Sequence, residues 1–276
     1  MTRISLHASR TLPSLRTCSA LRTALGALLF TSLTLGVSQA QASDTLKVGI
    51  SAEPYPPFTY TSSDGEWTGF EVELAEAICT AMTRDCAITP TGWSGIIPSL
   101  KAGRIDMIMN SMSITTARQK VINFSVPYYF TPGAYVAASD LTLDIPNGLD
   151  GKILGVQSAT TNATYARQAL RDTGVEVRLY DQAEQVNRDL LSGRLDVILA
   201  DEIAMAELVG REEAKDFEIK ATAPHHKAYG EGVGIGLRQD DDALKEAVDA
   251  AIQKVQKDGT CSALSNKYFA TDVCIG

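Results

Sequence analysis

The sequence predicts an α/β protein of two similar lobes, each a sheet flanked by helices. Short apolar runs alternate with amphipathic helical patterns, the signature of strands joined through helices into parallel sheets. An internal echo points to duplication of one unit. Leu100-Lys101-Ala102-Gly103-Arg104-Ile105-Asp106-Met107-Ile108 recurs ninety positions later as Leu190-Leu191-Ser192-Gly193-Arg194-Leu195-Asp196-Val197-Ile198. That period is too long for a solenoid and fits two lobes with one sheet each. The 276 residues, 45% hydrophobic and 21% charged, suffice for cores of that size and exclude a disordered or multi-span membrane chain.

Taken in order, residues 1–22 are basic, and an apolar stretch runs from about Thr23 to Val37. Small residues follow, and both Ser38-Gln39-Ala40 and Ala40-Gln41-Ala42 suit signal peptidase. The stretch is short for a span of ~20 residues, so a signal peptide over 1–42 is expected rather than a membrane anchor. Leu46–Ile50 alternates as a strand, and Glu53-Pro54-Tyr55-Pro56-Pro57-Phe58 reads as a loop. Gly69 precedes a helix carrying Phe70, Leu74, Ile78 and Met82 on one stripe, and Ala87–Thr89 is a short strand. A helix over Ser94–Ala102 stops at Gly103, and Ile105–Met109 is a buried strand. Thr115 suits an N-cap. Gly155 to Asn162 reads as strand, turn and helix start, Leu195–Leu199 as a strand, and Glu202–Leu208 as a helix. Gly232–Leu237 is a glycine-punctuated strand, Asp240–Lys257 an amphipathic helix, and a last helix runs toward Phe269.

Charge and cysteine usage bound the function. Four arginines in 1–42 belong to the leader, which leaves 21 basic against 33 acidic residues, a net −12. Such a body repels phosphate backbones and argues against nucleic-acid partners. Cys79, Cys86, Cys261 and Cys274 remain after the leader and allow three pairings, of which sequence proximity favours Cys79–Cys86 and Cys261–Cys274. Neither pair has metal-ligand spacing, so disulfides in an oxidising compartment are expected, with no metal and no cofactor.

The echoed strands run into polar residues, Asn110-Ser111-Met112-Ser113 in one copy and Ala200-Asp201-Glu202 in the other. Ligands of open α/β sheets bind beyond strand carboxyl ends, so Ser111 and Asp201 are expected to face each other across a cleft. Arg118 is the residue type that grips a carboxylate through two parallel hydrogen bonds, and Asp201 can accept from an ammonium. The helix start at Thr160-Thr161 offers backbone N–H groups to an anion. Tyr55 and Trp93 sit in loops at strand ends, able to flank a side chain. Plainer roles stand beside these. Arg118 suits a surface ion pair, Asp201 a helix cap, and Trp93 a core plug. Glu71 and Glu73 read as a solvated helix start without chemistry.

Tyr55-Pro56-Pro57-Phe58 with Gly69-Phe70-Glu71-Val72-Glu73-Leu74-Ala75 resembles the signature of family 3 extracellular solute-binding proteins, the periplasmic receptors of polar amino-acid ABC importers. Trp93 through Leu100, Ser111 through Thr115 with Arg118, Gly155 through Thr161, Asp201-Glu202 and Asp258-Gly259-Thr260 match as well, across essentially all of 44–276. The Cys79–Cys86 spacing resembles the disulfide of the histidine and lysine/arginine/ornithine branch, whereas the tryptophan looks closer to opine-type receptors.

The resemblance implies a two-lobe periplasmic-binding-protein (Venus-flytrap) fold. Lobe 1 would be 43–132 and 230–276, lobe 2 would be 133–229, and the hinge would lie near Tyr135-Val136-Ala137 and Gly230-Glu231-Gly232. It implies that Arg118, with Ser113 and Thr161, holds an α-carboxylate, that Asp201 and Ser111 hold the α-ammonium, and that Tyr55 and Trp93 flank the side chain. Asn110 replaces a common serine, and Ala52 stands where an acid often meets a cationic side chain. These departures argue against lysine, arginine or histidine. Glu53 is adjacent, but a one-residue shift at a strand end turns a side chain to the other face.

The implied protein is a monomer that delivers an amino acid, or failing that an opine-like conjugate, to a membrane ABC permease. Two alternatives use the same scaffold. One is an input protein for a signalling partner. The other is a cyclohexadienyl-dehydratase-like enzyme, for which Glu53 and Glu202 are the nominees as general acid.

Overall fold

The computed structural model describes residues 45–275, so the leader expected over 1–42 lies outside the described residues. The chain opens on β1 (Leu46–Ser51), then a small hairpin of β2 (Tyr60–Thr61) and β3 (Trp67–Thr68), and α1 (Phe70–Ala81). β4 (Cys86–Thr91), α2 (Ile96–Lys101), β5 (Met107–Ile108), α3 (Thr116–Gln119) and β6 (Asn123–Phe124) follow. A second run comprises β7 (Gly133–Ala138), β8 (Ile153–Gln157), α4 (Thr161–Ala169), β9 (Glu176–Tyr180), α5 (Ala183–Leu191), β10 (Val197–Asp201), α6 (Glu202–Val209) and β11 (Phe217–Thr222). The chain then returns through β12 (Gly236–Leu237), α7 (Asp242–Lys257) and α8 (Thr260–Phe269).

These strands form two five-stranded sheets of the same design, one to each lobe. The first has the order β4-β1-β5-β12-β6 and the second β9-β8-β10-β7-β11. Three parallel strands lead each sheet, and the fourth runs antiparallel to them. The sheets are therefore mixed rather than parallel, because β12 and β7 are the strands by which the chain enters each lobe from the other. α1, α7 and α8 pack together on the first sheet, burying Phe70, Leu74, Ile78, Val248 and Ile252. Tyr135, Leu154, Val156, Tyr165 and Val197 centre the second lobe's core.

The echoed segments do the same work twice. Gly103 and Gly193 both take the left-handed conformation that ends a helix, with φ of 68° and 72°. Asp106 Oδ2 then accepts the Lys47 N–H at 2.9 Å, while the Asp106 N–H donates to the Lys47 carbonyl at 2.8 Å. Asp196 repeats this on Ile153, accepting at 2.7 Å and donating at 3.0 Å. Each aspartate thus pins the next strand's start and fixes its register. Asp196→Ala should cost about 1–2 kcal/mol in urea unfolding, the effect of a half-buried N–H left without its charged acceptor; an unchanged midpoint would remove this role.

Disulfides join Cys79 to Cys86, tying the end of α1 to β4, and Cys261 to Cys274, tying α8 to the C-terminal segment. Several sequence expectations shift. The expected helix over Ser94–Ala102 is a tight turn at Trp93–Gly95 followed by α2, with Pro98 in the first turn, where its missing N–H costs nothing. The strand over Ile105–Met109 shortens to Met107–Ile108. Tyr135-Val136-Ala137 is no hinge, since all three lie inside β7, paired with β10 on one side and β11 on the other. The chain passes between the sheets before β7, through 125–132, and again through 223–235. The two passages run together: the Val233 N–H donates to the Tyr129 carbonyl at 2.8 Å, and the Tyr128 N–H to the Val233 carbonyl at 2.9 Å.

Candidate functional site

The strand ends of both lobes meet at one cavity of about 70 Å³. Tyr55, Trp93, Asn110, Ser111, Ser113 and Arg118 line it from the first lobe, and Thr160, Thr161 and Asp201 from the second. All nine residues singled out in the sequence are therefore brought together.

Arg118 arrives on α3, whose start is set by Thr115 accepting the Arg118 N–H at 3.3 Å. Its Nη1 donates to the Ser113 carbonyl at 2.9 Å and its Nη2 crosses the cleft to the Ala159 carbonyl at 3.1 Å. The guanidinium lies over the Trp93 ring, 5.4 Å from its centroid. Among the described residues no carboxylate lies within ion-pair distance of it, whereas the other arginine lining the cavity, Arg211, is bonded to Glu207 at 2.7 Å. Burial lowers the Arg118 pKa to about 10, a loss partly offset by Asp201, and the group stays cationic at neutral pH.

Asp201 occupies the N-cap position of α6 without capping it. Its Oδ2 accepts from the Tyr55 hydroxyl at 3.1 Å and its Oδ1 from Asn162 Nδ2 at 3.0 Å. Burial raises its pKa to about 6, against the pull of those two hydrogen bonds and of Arg118. Thr160 caps α4, accepting the Ala163 N–H at 3.0 Å, which leaves Thr161 in the helix's first turn on the cavity wall. Asn110 also braces the structure, its Oδ1 accepting the Ser51 N–H at 3.0 Å. Trp93 does more than plug a core, although it packs against the buried cluster of Ile96, Leu100 and Ile108. Its Nε1 donates across the cleft to the Ser158 carbonyl at 3.1 Å.

Three placements differ from expectation. Glu53 does line the cavity, because β1 ends at Ser51 and strand alternation no longer governs the residues beyond it. Its carboxylate accepts from Ser51 Oγ at 3.1 Å and, across the cleft, from Gln182 Nε2 at 3.3 Å. Glu202 faces away, accepting from Thr222 Oγ1 at 2.7 Å. Glu71 is not solvated, and Glu73 is only partly so. Glu73 pairs with Lys267 at 2.7 Å and accepts from Tyr268, and Glu71 is fully buried behind Ser111. Sequence reasoning also missed Asn162, the partner of Asp201, and Glu184 on α5, which joins Glu53 in the cavity wall. The spacing of Glu71 to Leu74, Ala75 and Ile78 is the available signal for its burial, since residues three, four and seven apart share a helix face.

A cleft between two like lobes, with a guanidinium on one wall and a carboxylate on the other, defines a two-lobe receptor of the periplasmic-binding class. The chain belongs to the bacterial extracellular solute-binding proteins, family 3, matching that family over residues 46–271. It is 36% identical over 257 residues to the lysine/arginine/ornithine-binding periplasmic protein of Escherichia coli, covering 89% of this chain and 97% of that one. A Salmonella typhimurium periplasmic binding protein of high arginine specificity superimposes with a TM-score of 0.76 at 28% identity, covering 82% of this chain and 99% of the other. An ancestral amino acid-binding protein, described as a precursor of cyclohexadienyl dehydratase, superimposes at 0.73 with 28% identity, covering 82% and 95%. Among the described residues no helix is long and apolar enough to cross a membrane.

Proposed function

We propose that this protein captures a polar α-amino acid, with a basic side chain preferred, between its lobes in the periplasm and delivers it as a monomer to a membrane ABC permease. The observation that carries this reading is Arg118, a cavity-lining guanidinium without a carboxylate partner among the described residues, set on the lobe opposite Asp201. An α-carboxylate would take the guanidinium with help from Ser113, Thr161 and the start of α4. The α-ammonium would take Asp201 and Ser111, and Tyr55 and Trp93 would flank the side chain. The main charged partner of each end sits on a different lobe and each end draws further contacts from the opposite lobe, so only the closed arrangement satisfies both, and binding shifts the population toward closure. The lobe limits proposed are 43–132 with 230–276, and 133–229, and residues 1–42 would direct export.

The preference for a basic side chain rests on Glu53 and Glu184 in the cavity wall and agrees with what the Escherichia coli and Salmonella relatives are named for binding.

A thermal-shift screen over the amino acids, ornithine, citrulline and octopine tests the reading, followed by calorimetry on Glu53→Gln. L-arginine, L-lysine or L-ornithine should give the largest shifts, and Glu53→Gln should weaken L-arginine by ~10-fold while leaving L-glutamine unaltered. Shifts with sugars or phosphates alone would reject the site. Turnover of a cyclohexadienyl substrate would favour the enzyme alternative, for which Glu53 is the one nominee that lines the cavity.

A further inference from the structure

Directly behind the proposed ammonium site sits an acid with no assigned role. Glu71 is the only charged side chain in the buried class among the described residues, with 0% exposure. Both its carboxylate oxygens lie 2.8 Å from the Ser111 nitrogen, Oε2 accepts from Ser111 Oγ at 3.1 Å, and Oε1 accepts from the Tyr128 hydroxyl. All of these donors are neutral, so among the described residues the carboxylate has hydrogen bonds but no counter-ion. Ser111 itself holds φ at 48°, a left-handed conformation that side-chain-bearing residues adopt at a cost. Its N–H is thereby turned back onto Glu71 while the residue lines the cavity.

We infer that Glu71 is a positioning residue for the ammonium end of the ligand, holding Ser111 in its left-handed turn and placing a hidden negative charge behind it. It acts through Ser111 and touches no ligand atom. The inference rests on the proposed amino-acid reading of the cleft.

The same geometry sets a pH dependence. Burial pushes the Glu71 carboxyl up to about 7, against the hydrogen bonds of Tyr128 and Ser111. The titratable groups facing it are Tyr128 and Tyr129 from the passage between lobes, Tyr55 from the loop after β1, and Asp201 from β10. Burial holds all three tyrosines well above their ordinary range, so they stay neutral. Glu71 and Asp201 are left to titrate near neutrality, at about 7 and about 6. An arriving ammonium favours the ionised form of each and lowers both values in the complex. Affinity is therefore full only about a pH unit above 7 and declines in two steps as the pH falls through 7 and then 6.

Calorimetry with L-arginine from pH 5.5 to 8.5 tests this, with L-glutamine run beside it at pH 8. Wild-type affinity should drop about 5- to 10-fold from pH 8 to pH 6, with proton release visible in buffers of different ionisation enthalpy. Glu71→Gln, close in shape, should bind ~10-fold more weakly at pH 8 and lose the upper step while keeping the lower one. Tyr128→Phe removes a bond that favours the ionised carboxyl, so its upper step should move to higher pH. That variant decides the matter if Glu71→Gln does not fold. A wild-type profile retained in Glu71→Gln, or an unmoved step in Tyr128→Phe, overturns the inference and leaves the amino-acid reading standing. If the wild type binds neither amino acid at pH 8, both fall together.

Discussion

Arg118→Ala should weaken L-arginine binding by at least about 2–3 kcal/mol, the loss expected when one partner of a desolvated charge pair is truncated. The guanidinium is held in place by the Ser113 and Ala159 carbonyls and the Trp93 face, so little ordering remains to be done when a carboxylate arrives. Alanine deletes that prearranged fork and also the bond to Ala159 that helps hold the lobes together. Arg118→Lys should recover only part of the loss, because an ammonium keeps the charge but not the paired donors. The cap of α3 uses backbone and Thr115 alone, so the helix start survives either change. Isothermal titration checks the prediction, with circular dichroism to verify the fold, and wild-type affinity in the alanine variant would refute the assignment.

Asp201→Asn should produce the other large effect, and with it an opposite change in stability. Binding should fall by about 2–4 kcal/mol, since the α-ammonium loses its charged acceptor. Without ligand the variant should be the more stable protein at pH 7.5. Burial raises the carboxyl pKa from 3.8 to about 6, so the folded state holds its proton more tightly than the unfolded chain does. Wild-type stability therefore falls as the pH rises from about 4 to about 6, and the penalty is complete above that window. Asparagine carries no such penalty. A gain of about 1–2 kcal/mol at pH 7.5, vanishing near pH 4, is the expected outcome in chemical denaturation. A variant no more stable than wild type at pH 7.5 would show that Asp201 is not strained by its setting.

The echo made the two-lobe plan readable because its parts are local: a glycine that must turn left, an aspartate at a strand start, and an apolar strand behind it. The nine cavity-lining residues are readable for a related reason. They lie where strands end, and in this fold strand ends converge. What escaped notice depends on contacts distant in sequence. Glu71 sits among charged neighbours at a helix start, and only the fold brings Tyr128, 57 residues away, against it. Glu53 looked misdirected because strand alternation was carried past Ser51, where the strand stops. Of the two expected hinge segments, Gly230-Glu231-Gly232 falls within the second passage, and the other is displaced for the converse reason. Tyr135-Val136-Ala137 is apolar enough to span lobes, yet that same character buries it in the middle of a sheet, while the true passages carry Ser125, Pro127 and Pro132.

Trp93 and Arg118 both reach over to main-chain carbonyls, those of Ser158 and Ala159. Side-chain changes in that turn therefore leave the acceptors where they are, provided the backbone keeps its path. A side-chain change at 158 should therefore leave both bonds nearly untouched, whereas Ala159 holds φ at 58°, so a bulkier or β-branched residue there strains the backbone that carries the acceptor.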